Sequence, residues 1–239
     1  VSTEIFKRFP TTFKLALLST LWSIVIGITI GIISAVKQYS IMDHVTRLIA
    51  MLGVSVPTFW EGLMLIILFS VQLALLPASG FTTWKHWILP SFTIGTHSAA
   101  TVMRMMRSSM LEAIRQDYIT TAKSKGQTNF VVITKHALRN AIIPVMTLVG
   151  VNFGRLLGGS AITEIVFSIP GLGNLIIDGI KVKNAPLVQG GILVIALAMA
   201  LCNLIVDVLY AYVDPRIRSQ YVKPKVKMAA AKSVATEEK

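Results

Sequence analysis

Three observations predict an all-α membrane protein with five transmembrane helices and a polar two-helix insert. Of its 239 residues, 54% are hydrophobic and only 14% charged, against roughly 25% charged in a soluble domain. Apolar runs approach or exceed the roughly 20 residues that carry a helix across a hydrocarbon core. The formal charge of +12 is concentrated in alternate connecting segments rather than spread along the chain.

The spans are expected at about 13–36, 48–76, 87–107, 139–163 and 186–213. The first is a continuous apolar run from Phe13 to Val36. The second holds about 29 residues and is interrupted by Pro57 in "VSVPTFWEGL". That length exceeds what a straight crossing needs, so a kink or tilt is expected there, either for packing or as a hinge. The third is more polar and ends in Arg104 and Arg107; the fourth and fifth, Ala141 to Thr163 and Pro186 to Val213, are strongly apolar. "GITIG" sets Gly27 and Gly31 four apart, and "GRLLGGS" does the same for Gly154 and Gly158. Such spacing lets backbones approach closely in lipid, within one chain or between subunits.

Charge sets the topology. Arg104, Arg107, Arg115, Lys123, Lys125, Lys135 and Arg139 face only Glu112 and Asp117 between the third and fourth spans. After Val213 come Arg216, Arg218, Lys223, Lys225, Lys227, Lys232 and Lys239. The other loops are poorer: Lys85 alone, and Lys181 and Lys183 balanced by Glu164 and Asp178. The positive-inside rule makes the basic set, and with it the C-terminus, cytoplasmic. The basic charge is therefore a topology signal, and no nucleic-acid partner is expected. Five spans then place the N-terminus outside, although it carries Lys7, Arg8 and Lys14 and no secretory apolar region. An upstream sixth span, absent from this sequence, is expected; a removed signal is the alternative. Residues 1–218 form one membrane domain, and 219–239 a polar tail expected to be disordered. The single Cys202 excludes an internal disulfide.

The insert, about 113–138, has helical periodicity, with Ile114, Tyr118, Ile119 and Ala122 on one side. Gly126 is expected to stop this helix in the left-handed conformation. Phe130, Ile133, Ala137 and Leu138 then form a second apolar stripe. A helix pair with apolar knobs and a basic rim suits docking into a partner's groove. The same residues also suit an amphipathic segment lying on anionic headgroups.

The stretches "DYITTAKSKG" and "HALRNAIIP" resemble the cytoplasmic coupling loop of ABC importer permeases of the dipeptide, oligopeptide and nickel branch. They depart from the general pattern of Glu-Ala-Ala, three residues, Gly, nine residues and Ile-x-Leu-Pro. Aligned on Gly126, the first triplet falls on Thr120, Thr121 and Ala122, and the last four on His136 to Arg139. The branch's own variant fits better, and "RFPTTFKLALLS", "GVSVPTFW", "LLPASG", "ILPSFTIG", "RSSMLEAIRQDYI", "FSIPGLGNLI" and "YVDPRIR" resemble it too. The resemblance runs from Pro10 to Arg218.

It implies a non-catalytic half of a transport pore in a bacterial or archaeal cytoplasmic membrane. The implied partners are a homologous permease in a heterodimer, two cytoplasmic ATPase subunits and an extracytoplasmic substrate-binding protein. Tyr118, Thr121, Ala122, Lys123, Lys125, Gly126, His136, Ala137, Leu138 and Arg139 would couple to an ATPase, with Ala122 and Gly126 allowing close contact. ATP and Mg would be bound by the ATPase subunits, with no cofactor in this chain, which has no GxxxxGK(S/T) phosphate loop. Cargo would be peptides or related small solutes, with nickel or a metal chelate as the alternative. A self-contained channel or secondary transporter is the competing class. An intramembrane enzyme lacks both HExxH and GxSxG.

Polar residues within the spans are the remaining site candidates. An ionisable group at depth costs several kcal/mol unless paired or hydrated. Counting 1.5 Å per residue puts Glu61 roughly 21 Å beyond Arg47 and Arg155 roughly 24 Å beyond Arg139. Similar depth suggests either a Glu61–Arg155 ion pair or two charges lining a water-filled path, with Asn152 beside them. Asn203 and Asp207 are expected to share a face toward other helices. His97 with Met103, Met105 and Met106 makes a weak metal set, and no metal site is assigned. "SIPGLGNLIIDG" is expected on the external side, either re-entering the membrane mouth or lying at its interface.

Overall fold

The computed structural model describes residues 1–213. The basic cluster from Arg216 and the tail 219–239 lie outside the described residues. All regular structure among the described residues is helical.

Helix α1 spans Ser2–Val36 and begins well before the apolar run, in turns that are largely exposed apart from Ile5. Ile5, 2% exposed, packs there with Leu172 and Leu175. Helix α2 (Ile41–Ser55) and helix α3 (Thr58–Leu65), which continues into a π-helical turn Ile66–Gln72, replace the expected second span. They meet at Pro57 with a bend of 103°. This is a corner rather than a kink: Val56 and Pro57 are both extended, so one helix ends and another starts.

A single 3-10 turn, Trp84–Trp87, leads into α4 (Ile88–Ile114). The insert follows as α5 (Asp117–Ser124) and α6 (Asn129–Val131). A π-helical stretch, Val132–Ala137, joins α6 to α7 (Leu138–Gly159). Then come α8 (Ala161–Val166), α9 (Leu172–Lys181) and α10 (Ala185–Val213).

Helix α1, the Asn129–Gly158 segment and α10 are each long and apolar enough to cross a membrane, and the bent α2–α3 pair makes a fourth when its two arms are counted as one broken span. Helix α4, 27 residues long, is long enough but more polar. It sits at the centre, packed on α1, α2, α3 and α7, with Ser91, Thr93 and Ser98 buried. A helix surrounded by protein does not need an apolar surface all round. Helix α10 is the opposite case, presenting Leu193, Leu197, Leu201, Leu204 and Ile205 outward.

The small residues work within the chain. A Cβ on Gly27 would lie 2.8 Å from the Ala99 carbonyl, and one on Gly31 would lie 2.7 Å from Met106 Cβ. Both glycines therefore let α1 seat directly on α4. A Cβ on Gly154 would lie 3.0 Å from Asn203 Oδ1 and one on Gly158 would lie 3.2 Å from Ile195, so both glycines serve the α7–α10 contact in the same way. Asn203 does face α7, but Asp207 is exposed. The expectation of one shared inward face fails for Asp207, because α10 turns most of its surface away from the bundle.

Candidate functional site

The insert is built as one piece with the bundle. The first helix begins at Asp117 rather than Ala113, because Arg115 and Gln116 interrupt it and leave Ala113 and Ile114 on α4. Ile119 and Ala122, 1% and 6% exposed, point into the core formed with Met106, Met110, Val132, Ala137 and Val145. That core runs without a break from the spans into the insert, so α5 is packed onto the bundle rather than hanging as a loose loop.

Its turn follows from Gly126. At φ +76° the residue occupies the left-handed region that glycine enters without a Cβ penalty. The Gly126 N–H donates to the Lys123 carbonyl at 2.9 Å and the Gln127 N–H to the Ala122 carbonyl at 3.4 Å. These paired bonds form a Schellman termination. Gln127 Oε1 also lies 2.7 Å from His136 Nε2, tying the turn to the second arm. A Cβ placed on Gly126 would meet nothing within 4 Å.

The residues expected to couple divide into two groups. Tyr118, Thr121, Lys123, Lys125, Gly126 and Arg139 are exposed. Ala122 and Ala137 are buried against the chain's own core, and His136 and Leu138 are half-buried. Phe130, part of the second stripe, is 75% exposed and stands outside the core cluster.

Directly behind the insert, a buried ion pair fastens three helices. Asp43, 0% exposed, accepts from Arg107 Nε at 2.8 Å and from Arg107 Nη2 at 2.9 Å. It also accepts from Ser34 Oγ at 2.6 Å and from the Tyr39 N–H at 3.0 Å. The α1–α2 turn and the last part of α4 are thereby held on one carboxylate. Sequence reasoning missed this pair: Arg107 counted only toward the positive loop. The signal was Ser40-x-x-Asp43, a helix-start pattern whose acid lies on the first turn of α2.

At the opposite end of α1 a second carboxylate is buried without a cation. Glu164, 0% exposed, accepts from Thr12 Oγ1 at 2.7 Å, Ser160 Oγ at 3.0 Å and the Asn174 N–H at 2.8 Å. Thr12 Oγ1 accepts in turn from the Leu172 N–H at 2.8 Å. Glu164 and Thr12 thus supply acceptors to two of the orphan N–H groups that begin α9, where the helix dipole also favours negative charge. "SIPGLGNLIIDG" is therefore a folded helix start packed on α1 and α8. Gly171 is required at its head, since a Cβ there would fall within 2.4 Å of the Glu164 carboxylate.

Glu61 and Arg155 do not pair. Glu61 accepts from Thr96 Oγ1 at 2.5 Å, and among the described residues no acidic oxygen lies within 4.0 Å of Arg155, which is exposed. The depth count assumed a straight helix from Arg47. The 103° corner at Pro57 invalidates it and turns Glu61 toward α4, whereas α7 packs on α10, α4 and α1. Asn152 is half-buried on α7. Glu61 lines a cavity of about 390 Å³ with Trp60, Thr96, Ala100 and Met103.

A family model described as "Binding-protein-dependent transport system inner membrane component" matches residues 27–219. The chain belongs to that family. It is 44% identical over 218 residues to the "Glutathione transport system permease protein GsiC" of Pectobacterium atrosepticum, covering 91% of this chain and 71% of that protein. The protein of the same name from Escherichia coli strain K12 matches to the same extent. Among solved structures, the inward-facing MetNI methionine ABC transporter shares the fold with a TM-score of 0.75 at 17% identity, covering 88% of this chain and 96% of that one. An amino acid ABC transporter gives 0.66 at 17% identity, covering 90% and 94%.

This is therefore a membrane-embedded permease of an ABC importer, from the branch that the "TAKSKG" and "HALRNA" stretches suggested. Such a permease works with ATPase and substrate-binding partners.

Proposed function

We propose that the permease forms half of a translocation path for peptide-like small solutes, and that α5, the Gly126 turn and α6 seat in the cleft of a cytoplasmic ATPase subunit. ATP and Mg reside in that subunit. The observation that carries this reading is the one-piece construction of the insert: its inward face continues the span core. Its outward face offers Phe130, Tyr118, Lys123, Lys125 and an unfilled space over Gly126. A displacement imposed on Phe130 and Gly126 reaches α4 and α7 without slack, which is what coupling to a moving ATPase needs. The buried Ala122 and Ala137 shape the ridge, and the exposed residues touch the partner.

The Lys and Arg content of this end supports a cytoplasmic orientation. The cargo class rests on the relatives named for glutathione, a peptide-like solute. The exposed apolar face of α2 and α3, with Leu48, Leu52, Phe59 and Leu63, suits a homologous permease as the other half.

Copurification of the native complex tests the assembly: a second permease and ATPase subunits are expected with this chain. Its ATPase activity is expected to rise with glutathione or short peptides and the loaded binding protein, and not with nickel. Gly126→Trp is expected to leave membrane insertion intact and to uncouple hydrolysis from uptake. Normal uptake by that variant would refute the docking role.

A further inference from the structure

We infer that Glu61 and Trp60 form a station for a primary ammonium group, the cationic end of a peptide-like solute, in the cavity inside the α2–α3 corner. The inference rests on the permease reading, since it needs the cavity to open onto the translocation path.

Glu61 differs from the other two inward-facing carboxylates. Asp43 has an arginine and Glu164 has three donors, whereas Glu61 has one neutral donor, the Thr96 hydroxyl. Among the described residues, no Lys, Arg or His nitrogen lies within 4.0 Å of its carboxylate. Thr96 holds one oxygen and so fixes the carboxylate's direction, leaving the second oxygen without a partner among the described residues. The rest of the cavity wall is largely apolar, from Ile26, Ile30, Val56 and Met103. Such surroundings strengthen attraction to a cation, because little solvent screens it. Trp60, the adjacent residue, is 48% exposed and lines the same cavity. An aromatic ring lining the same cavity adds a surface that attracts ammonium groups. At about 390 Å³ the cavity has the size of a small-ligand site. An anion is excluded by Glu61, and a neutral solute would leave the carboxylate uncompensated at depth.

The test uses charged thiol reagents on the intact importer in nanodiscs. Cys202→Ser removes the native thiol, and Ala100→Cys or Val56→Cys places one on the cavity wall. Ala100 lies one helical turn from Thr96 on the same face of α4. The trimethylammonium-ethyl methanethiosulfonate is expected to react at least about tenfold faster than the sulfonate-ethyl reagent, a preference equivalent to about 1.4 kcal/mol. Glu61→Gln is expected to abolish that preference while both reagents still react.

Equal rates with Glu61 in place would overturn the inference, as would happen if a partner subunit's cation neutralised it. Failure of both reagents at both positions would also overturn it, because the cavity would then be closed to water. Neither result touches the permease reading, which fails only if the native complex lacks ATPase partners.

Discussion

The two ends of α1 bury a carboxylate each, and they neutralise it by different means. Near the insert, Asp43 is met by a two-pronged arginine; at the far end, Glu164 is met by two hydroxyls and the first turn of a helix. Both are 0% exposed. A counter-ion makes the first site a mutual dependency, because removing either charge strands the other in a medium that cannot solvate it. Dipoles make the second site more forgiving, since each donor is neutral without its acceptor. The rigid ion pair stands where the proposed docking ridge joins the bundle. The dipolar site stands where a short helix folds back on the spans.

The sharpest way to break this contrast is to neutralise each acid without changing its size. Asp43→Asn should cost about 3 kcal/mol by leaving the largely covered Arg107 without its counter-ion, read as a large fall in the melting temperature of the detergent-solubilised complex. The double variant Asp43→Leu with Arg107→Met should lose less than Asp43→Asn alone. Additive losses would show that the pair is not a unit.

Glu164→Gln should cost less, about 1–2 kcal/mol, because the amide oxygen still accepts from Thr12 or the Asn174 N–H while its NH₂ faces an unfavourable donor. Melting losses equal to those of Asp43→Asn would refute the distinction between a counter-ion and dipoles.

Gly171→Ala is the steric counterpart at the same end. The added Cβ would fall on the Glu164 carboxylate within 2.4 Å, so the head of α9 must shift. About 1–3 kcal/mol is expected from such overpacking. The loss should largely disappear in a Glu164→Ala background, where the space is free. Persistence of the full loss there would mean that Gly171 serves its own backbone rather than the acid.

Much of this was legible in the sequence, for identifiable reasons. Long apolar runs announce α7 and α10, because lipid demands them residue by residue. Gly126 announced its turn because only a left-handed residue closes a Schellman cap at that point. The 103° corner was legible as Pro57 but not as an angle: proline says that a helix is interrupted, and packing decides where the chain goes next. The Glu61–Arg155 ion pair was misjudged for that reason, since depth counted along a straight axis carries no meaning past a corner. Asp43 and Glu164 were invisible as partners because their bonds join residues 64 and 152 positions apart. Nothing local marks a threonine at position 12 as the neighbour of an acid at 164. Periodicity also could not separate Phe130, which faces outward, from Ile119, which is buried; both read simply as apolar positions in a helix.

Phe130 should show the smallest stability effect and the clearest functional one. It is 75% exposed, so Phe130→Ala removes almost no packing, and the melting temperature of the permease should change by no more than about 0.5 kcal/mol equivalent. If the ring fills a groove of an ATPase subunit, truncation should weaken that association by about 2 kcal/mol or more, the usual cost of losing a central aromatic anchor. The readout is the amount of ATPase retained on affinity-purified permease as salt is held constant. Lys125→Ala at the rim should cost little and should matter mainly at low salt. Equal retention with and without the Phe130 ring would place the partner's groove elsewhere on the ridge. An ATPase lost from Lys125→Ala but kept by Phe130→Ala would make the contact a charged one, reversing the division between apolar knob and basic rim on which the coupling argument depends.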